Sequence, residues 1–191
     1  MPPDRRKNRD LPAFVIITGL SGSGMSSATD SLEDLGYFCV DNLPLTMLQP
    51  FGRLLIPADN GQAAIKKAAL VIDIREGHFL ADFPAEIEKL ARRGLTPFVV
   101  FFEASDEVLQ RRFSETRRPH PADKGKGLLA AIQAERKALK QIRTLADLII
   151  DTSEHTVHTL RKEVVQKFSG NNDGVSMKVE VVSFGHKYGT P

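Results

Sequence analysis

The chain is poor in residues that build covalent or metal-held scaffolds. It contains one cysteine, Cys39, and no tryptophan among its 191 residues. A single cysteine excludes a disulfide within the chain and a metal site built on several cysteines. Cys39 stands in the apolar run YFCVD. We therefore expect it to be a small buried side chain, which is the usual state of a free cysteine.

Long hydrophobic runs are also missing. The chain has no apolar run of about 18 residues, so the sequence predicts no membrane-spanning helix and no membrane partner. Its charged N-terminus is followed only by AFVII, which is too short for the core of a signal peptide. A cytoplasmic location is the expectation.

Excess charge of either sign is small. The net charge is +2, with 41% hydrophobic and 26% charged residues, a balance typical of globular domains. The total charge therefore predicts no general attraction to nucleic acid or membranes. Basic residues cluster locally, in PPDRRKNRD near the start and RRFSETRRPH at 111–120. We interpret residues 1–12 as a flexible basic tail, and the second cluster as a loop or lid.

Short apolar runs alternate with segments of helical spacing. Such runs, rich in Val, Ile and Phe, are typical of strands buried on both faces. Predicted strands occupy 13–18, 37–41, 68–74, 96–104 and 146–151, and predicted helices occupy 24–35, 45–56, 79–93, 105–115, 128–143 and 155–168. This alternation predicts an α/β fold, a three-layer sandwich around a five-stranded parallel sheet.

The last part of the chain has a different composition. SGNNDG at 169–174 is made of turn residues and predicts a linker over 169–175. SMKVEVVSFG then alternates like a new strand, with few residues after it. We therefore expect one domain over 13–168 and the start of a truncated C-terminal domain over 176–191.

A glycine-rich loop joins the first predicted strand to the first predicted helix. GLSGSGMS resembles the phosphate-binding pattern G-x-x-x-x-G-K-[ST], with Gly19, Gly24 and Ser26 in place. Such a loop directs backbone N–H groups and the positive end of a helix at a phosphate. The alternative is a purely structural turn. If the loop binds a phosphate, the predicted nucleotide-binding residues are Gly19, Leu20, Ser21, Gly22, Ser23, Gly24, Met25 and Ser26.

Met25 occupies the lysine position of this pattern. A lysine there donates a charge-assisted hydrogen bond, worth about 1.5–3 kcal/mol, which methionine cannot make. We expect weak triphosphate binding and little turnover, unless arginines elsewhere compensate. Ser26 holds the position of a Mg²⁺ ligand.

Acidic residues end two predicted strands, at the edge where ligands bind in such sheets. Asp73 ends the third and is a candidate to hold Mg²⁺ through water. Asp41 ends the second and is followed by Asn42. Each aspartate could instead cap a turn.

Basic and polar residues in two later segments suit a nucleotide. Arg111, Arg117 and Arg118 flank FSET beside Arg112, and arginine forks suit phosphate oxygens. A solvated basic face is the alternative. We expect His120 on the surface of the following loop. DTS at 151–153 could contact a nucleobase or be an N-cap before the last helix.

Five segments together resemble the RapZ family. They are GLSGSGMSSATDSLEDLGYFCVDNLP, IDIRE, ASDEVLQRRFSETRRPHP, ADLIIDTSEHTVHTLR and SFGHKYGTP. These bacterial RNase adapter proteins are also described as nucleotide-binding P-loop proteins. The resemblance covers nearly the whole chain from about residue 13.

The resemblance implies a kinase-like P-loop domain that binds ATP or GTP with Mg²⁺. Its nucleotide loop would be 19–26, and a second binding segment would comprise Asp73, Ile74, Arg75 and Glu76. The resemblance also implies a C-terminal domain in the full-length protein, which in the best-known member of the family binds RNA and amino-sugar phosphate; that member guides RNase E to a small RNA. The resemblance to the family also implies that the full-length protein is a homo-oligomer.

Three differences from the family limit which of its properties we expect in this chain. Met25 replaces the loop lysine, Glu76 stands where the family often has Asn, and the chain ends just inside the C-terminal domain. We therefore do not carry RNA binding over to these residues, and we expect at most a weak NTPase. The sequence leaves three hypotheses open: a nucleotide-binding regulatory domain, a small-molecule P-loop kinase, and a degenerate scaffold that has lost its nucleotide.

Overall fold

A computed structural model describes residues 11–57, 63–72, 79–116, 119–123 and 125–169 of the chain. Each strand among these residues is followed by one or more helices. No helix among them is long and apolar enough to span a membrane.

Five strands form one parallel sheet. They are β1 (Phe14–Gly19), β2 (Phe38–Leu43), β3 (Ala68–Ile72), β4 (Phe98–Glu103) and β5 (Leu148–Asp151). Their order is β2-β3-β1-β4-β5, and every neighbouring pair is parallel. The predicted five-stranded parallel sheet is confirmed. Strand ends that can be compared differ from the predicted ones by at most two residues, and 73–74 lie outside the described residues.

Within the described residues, six α-helices connect and flank the strands. They are α1 (Met25–Asp34), α2 (Leu48–Gly52), α3 (Phe79–Arg92), α4 (Asp106–Thr116), α5 (Leu128–Leu145) and α6 (Val157–Phe168). The single helix predicted over 45–56 is wrong: α2 lies between 3₁₀ turns at Leu45–Met47 and Arg53–Leu55. Pro50 lacks the N–H that a continuous helix would bond to residue 46.

The two faces of the sheet bury different helices. On one face, Val15 and Ile17 of β1 lie in a core cluster with Leu32 of α1 and Leu160 of α6. On the other face, Phe14 and Ile16 share a cluster that includes residues of α3, α4 and α5. Successive strand residues point to opposite faces, so β1 supplies both cores. This arrangement is the predicted three-layer sandwich.

Two predicted helix ends are confirmed. After α1, Gly36 adopts a φ of 82°, its N–H donates to Glu33 O (2.8 Å), and Tyr37 N–H donates to Leu32 O (3.0 Å). These two bonds form a Schellman motif, which favours glycine. At the start of α4, Val108 N–H donates to Ser105 Oγ (3.3 Å), as expected of an N-cap.

Cys39 is only partly buried, because it lies on β2 at the edge of the sheet. Its thiol donates to Thr29 O at 3.6 Å. Burial, followed by the carboxylates of Glu33 and Asp30, raises the pKa of Cys39 to about 11. The thiol is therefore neutral near pH 7, as expected of a structural cysteine.

Candidate nucleotide-binding site

The phosphate loop, residues 19–26, passes from the end of the central strand into α1. β1 ends at Gly19, where a Cβ would lie 2.1 Å from Phe102 O of the neighbouring β4. Leu20 N–H donates to the same carbonyl at 2.9 Å. The close approach of β4 therefore requires glycine at 19, a need separate from any ligand.

The start of α1 is open to a ligand. Gly24 is its N-cap, with a φ of 97° that favours glycine, and contributes no side-chain cap. The first turn contains no acidic side chain. The partial positive charge of this helix end is therefore not balanced by the helix itself, as an anion site requires.

A cavity of about 1010 Å³ lies over the phosphate loop. This volume is at the upper end of the range typical of small-molecule sites. Its lining includes Gly19, Ser21, Gly22, Gly24, Met25 and Ser26 of the loop, Asp41 and Asn42 of β2, Arg111 of α4, and His155 and Thr156 before α6. The predicted loop, Asp41 and Arg111 are thus brought to one cavity.

Two of the predicted loop residues lie beneath this surface. Leu20 and Ser23 are fully buried and do not line the cavity. Ser23 N–H donates to Leu20 O at 3.0 Å, and Ser23 O accepts the Thr152 hydroxyl at 2.8 Å. These bonds hold the shape of the loop. A direct contact of either residue with a ligand stays a prediction.

Several predicted site residues lie outside the described residues. They are Asp73, Ile74, Arg75, Glu76, Arg117 and Arg118. Their roles in binding Mg²⁺ or phosphate stay predictions.

In the described part of the chain, the arginines at the cavity belong to α4 and not to the phosphate loop. Met25 lines the cavity as the first residue of α1 and supplies no charge. Among the described lining residues, the arginines are Arg111 and Arg112, and the acids are Asp41 and Glu115. Arg112 is engaged by protein acceptors, and a phosphate contact of Arg111 stays a prediction.

Arg112 joins the phosphate loop to the segment after β5. Its Nη1 donates to Gly22 O (3.0 Å) and Thr152 Oγ1 (2.9 Å), and its Nη2 donates to Thr152 O (2.8 Å). Burial, and then the positive charge of Arg111, lowers the pKa of Arg112 from its ordinary value. The sequence grouped these arginines together, but their contacts differ: Arg112 positions the loop.

The side chains of the DTS segment, 151–153, bond within the segment or to other parts of the protein and do not cap α6. Asp151 accepts the N–H and hydroxyl of Ser153, and the hydroxyl is the main cause that lowers the pKa of Asp151. Thr152 is buried and bonded to the loop. The N-cap alternative is wrong, because α6 is capped by Thr156, whose side chain accepts Thr159 N–H. In this region the cavity is lined by residues 155–157 and 160.

Sequence reasoning missed a buried polar pair behind the loop. His120, expected on the surface, is 3% exposed, with its ring 4.8 Å from that of Phe113. Glu135 of α5 is 5% exposed and accepts both donors of Ser21. One signal was available: Glu135 lies three residues after Ile132 and four before Leu139, on the apolar face of α5.

The described residues contain no cluster of three or more His, Cys, Asp or Glu suited to a metal. Ser26 offers one hydroxyl at the cavity, in the position that ligates Mg²⁺ in phosphate loops. Asp41 offers a carboxylate in the same cavity. Oxygen ligands completed by nucleotide phosphates are the set that Mg²⁺ prefers.

Solved structures share this fold. Shikimate kinase from Acinetobacter baumannii in complex with shikimate is 15% identical, with a TM-score of 0.51 over 86% of this chain and 96% of that one. A gluconokinase from Sinorhizobium meliloti is 16% identical, with a TM-score of 0.50 over 83% and 93%. At this identity the likeness shows the fold of P-loop kinases alone.

Closer relatives are found by sequence. A nucleotide-binding protein of Solibacter usitatus is 45% identical over 99% of this chain and 59% of its own length. Another, of Koribacter versatilis, is 48% identical over 100% and 62%. The chain thus spans about three fifths of these curated relatives. The profile of the RapZ-like N-terminal domain matches residues 13–172, and the chain belongs to that family.

Proposed function

We propose that this chain is a regulatory nucleotide-binding domain that holds ATP or GTP with Mg²⁺ over the phosphate loop. The observation that carries the proposal is the open N-terminus of α1, with its glycine loop, at the floor of the cavity of about 1010 Å³. The names of both relatives, which describe them as nucleotide-binding proteins, support it.

The phosphates would be held by backbone donors rather than by a lysine. The N–H groups of the loop and the dipole of α1 attract the charge. Ser26 would ligate Mg²⁺ and Asp73 would hold it through water, while Arg111, Arg117 and Arg118 would contact phosphate oxygens. Mg²⁺ would neutralise phosphate charge when bound.

Hydrolysis would be weak or absent. Met25 provides no donor for charge that develops on the transferred phosphoryl group, and loss of one such donor lowers rates by about 10²–10³. The nucleotide would then act as a signal by setting the conformation of residues 116–127. In the full-length protein, this signal would reach a C-terminal domain that binds small RNA and RNase E, in a cytoplasmic homo-oligomer.

A small-molecule kinase is the second candidate. The observation in its favour is that Asp41 and Asn42 line the same cavity as the phosphate loop. Asp41 could accept the proton of an acceptor hydroxyl, as an aspartate does in kinases. Formation of ADP together with a phosphorylated polyol would support this candidate over the regulatory one.

Thermal unfolding with Mg²⁺-ATP and Mg²⁺-GTP tests the proposal. A ligand at 100 times its dissociation constant adds about 2.7 kcal/mol. For a chain of this size, that raises Tm by about 5–10 °C. Mg²⁺ alone and adenosine are the controls, and neither should raise Tm. Unchanged melting with both nucleotides at a few millimolar would contradict the proposal and favour the degenerate scaffold.

A further inference from the structure

A buried carboxylate of α5 contacts the phosphate loop from behind. Ser21 N–H donates to Glu135 Oε2 at 2.9 Å, and Ser21 Oγ–H donates to Glu135 Oε1 at 2.6 Å. Both residues are buried. Hydrogen bonds to a carboxylate are about twice as strong as neutral ones. The orientation of residue 21 is therefore set by Glu135.

The buried neighbours of Glu135 on α5 are apolar. Ala131, Ile132 and Leu139 of the same helix are buried. A buried carboxylate is costly unless hydrogen bonds compensate for the lost water. An apolar side chain at position 135 would complete this core without that cost, so the specific contribution of Glu135 is its contact with the loop.

His120 confines the carboxylate from the other side. Its Nδ1 accepts Ala122 N–H at 3.1 Å, so the proton of the neutral ring lies on Nε2. Nε2 lies 3.4 Å from Glu135 Oε2 and makes no hydrogen bond. At this separation the contact is electrostatic and steric. The ring also packs against Phe113 of α4, so His120 lies between that ring and the carboxylate of Glu135.

We propose that Glu135 is a positioning residue of the nucleotide site, which holds the phosphate loop in its binding conformation through Ser21. The inference rests on the proposed function. Without the carboxylate, two buried donors of Ser21 lose their acceptor and must turn to find another. Gly22 and Gly24, which line the cavity next to Ser21, would then move with it.

Two substitutions of Glu135 separate its geometry from its charge. Glu135→Gln can keep both contacts, because its oxygen accepts Ser21 N–H and its amide donates to Ser21 Oγ. We expect its nucleotide affinity within about 3-fold of wild type, whereas Glu135→Ala binds about 10-fold more weakly. The measurement is titration of fluorescently labelled ATP and GTP with Mg²⁺, at a temperature where circular dichroism shows every variant folded.

Arg143→Ala is the matched control on the same helix. Arg143 bonds Glu103 at 2.7 and 2.8 Å and does not line the cavity. Its loss should leave nucleotide affinity unchanged. If Glu135→Ala does not fold, Glu135→Asp replaces it. The shorter side chain cannot reach both donors of Ser21, so we expect binding weaker by about 5-fold or more.

The outcomes are distinct. Weaker binding by Glu135→Ala or Glu135→Asp, with rescue by Glu135→Gln, supports the positioning role. Wild-type affinity in the folded Ala or Asp variant, with only a lower Tm, overturns it and leaves Glu135 a structural residue. A wild-type protein that binds neither nucleotide contradicts the proposed function, and the inference with it.

Discussion

At the scale of single residues, the phosphate loop combines a suitable backbone with an uncharged side chain at position 25. Gly24 adopts the left-handed conformation that opens α1, and Ser26 faces the cavity. Backbone donors and the helix end attract a phosphate whatever the residue at 25. Met25 should therefore affect the strength of triphosphate binding more than the existence of the site.

Met25→Lys is expected to tighten triphosphate binding by about 10-fold or more, because the ammonium adds a charge-assisted bond to the phosphates. Affinity for adenosine should not change, since it has no phosphate. The measurement is titration of the folded variants with Mg²⁺-ATP and Mg²⁺-GTP. Met25→Gln, of similar length but neutral, is the control and should bind like wild type. Equal triphosphate affinities of the lysine and methionine proteins would contradict the prediction.

Some residues of the site could be predicted from the sequence, and others could not. The loop could be located because its glycines and Ser26 have fixed spacing between a strand and a helix. Glu135 lies 114 residues from its partner Ser21, so no local pattern joins them. His120 was misassigned because its neighbours Pro119 and Pro121 suggest an exposed turn, while its burial depends on the ring of Phe113.

At the scale of elements, α4 holds the two loops that form the cavity. Arg112 of α4 bonds Gly22 in the phosphate loop and Thr152 after β5. Thr152 in turn donates to Ser23 O at 2.8 Å. Three elements therefore meet at one network around the buried Thr152, and its geometry requires the fork of an arginine.

Arg112→Lys is expected to destabilise the protein by about 1.5–3 kcal/mol, since one ammonium cannot reach both loops. This loss lowers Tm by about 2–4 °C for each kcal/mol, measured by thermal unfolding without ligand. Arg111→Lys is the neighbouring control. Arg111 is exposed at the cavity, so its substitution should leave the ligand-free Tm unchanged. Similar melting of both variants would contradict the separate roles of the two arginines.

At the scale of the whole molecule, the layers follow from patterns in the sequence, but the strand order does not. Continuous apolar runs separated by helical segments predict a parallel sheet. The order β2-β3-β1-β4-β5 depends on pairings between distant segments. β2 pairs with β3 through a register shift between Val40 and Leu43, which no local signal indicates.

The end of α6 packs against residues at or just before the start of β2 and β4. Phe168 at the end of α6 is buried, and its ring packs edge-on against Tyr37 (6.4 Å) and Phe98 (6.2 Å). Tyr37 also donates its hydroxyl to Pro12 O at 2.8 Å. The folded unit therefore includes Phe168 at one end of the proposed domain, 13–168, and bonds Pro12, the residue just before its other end, which the sequence placed in the basic tail.

Two truncations test this boundary. A chain that ends at Ser169 should melt at the Tm of the full sequence and keep its response to nucleotide, because it retains every contact of Phe168 described here. A chain that ends at Lys167 loses the buried ring, and removal of a buried phenylalanine side chain costs about 3–5 kcal/mol. Its Tm should fall by about 6–20 °C at 2–4 °C for each kcal/mol. A large loss of stability in the chain ending at Ser169 would show that residues 170–191 belong to the same folded unit, and would contradict the linker predicted at 169–175.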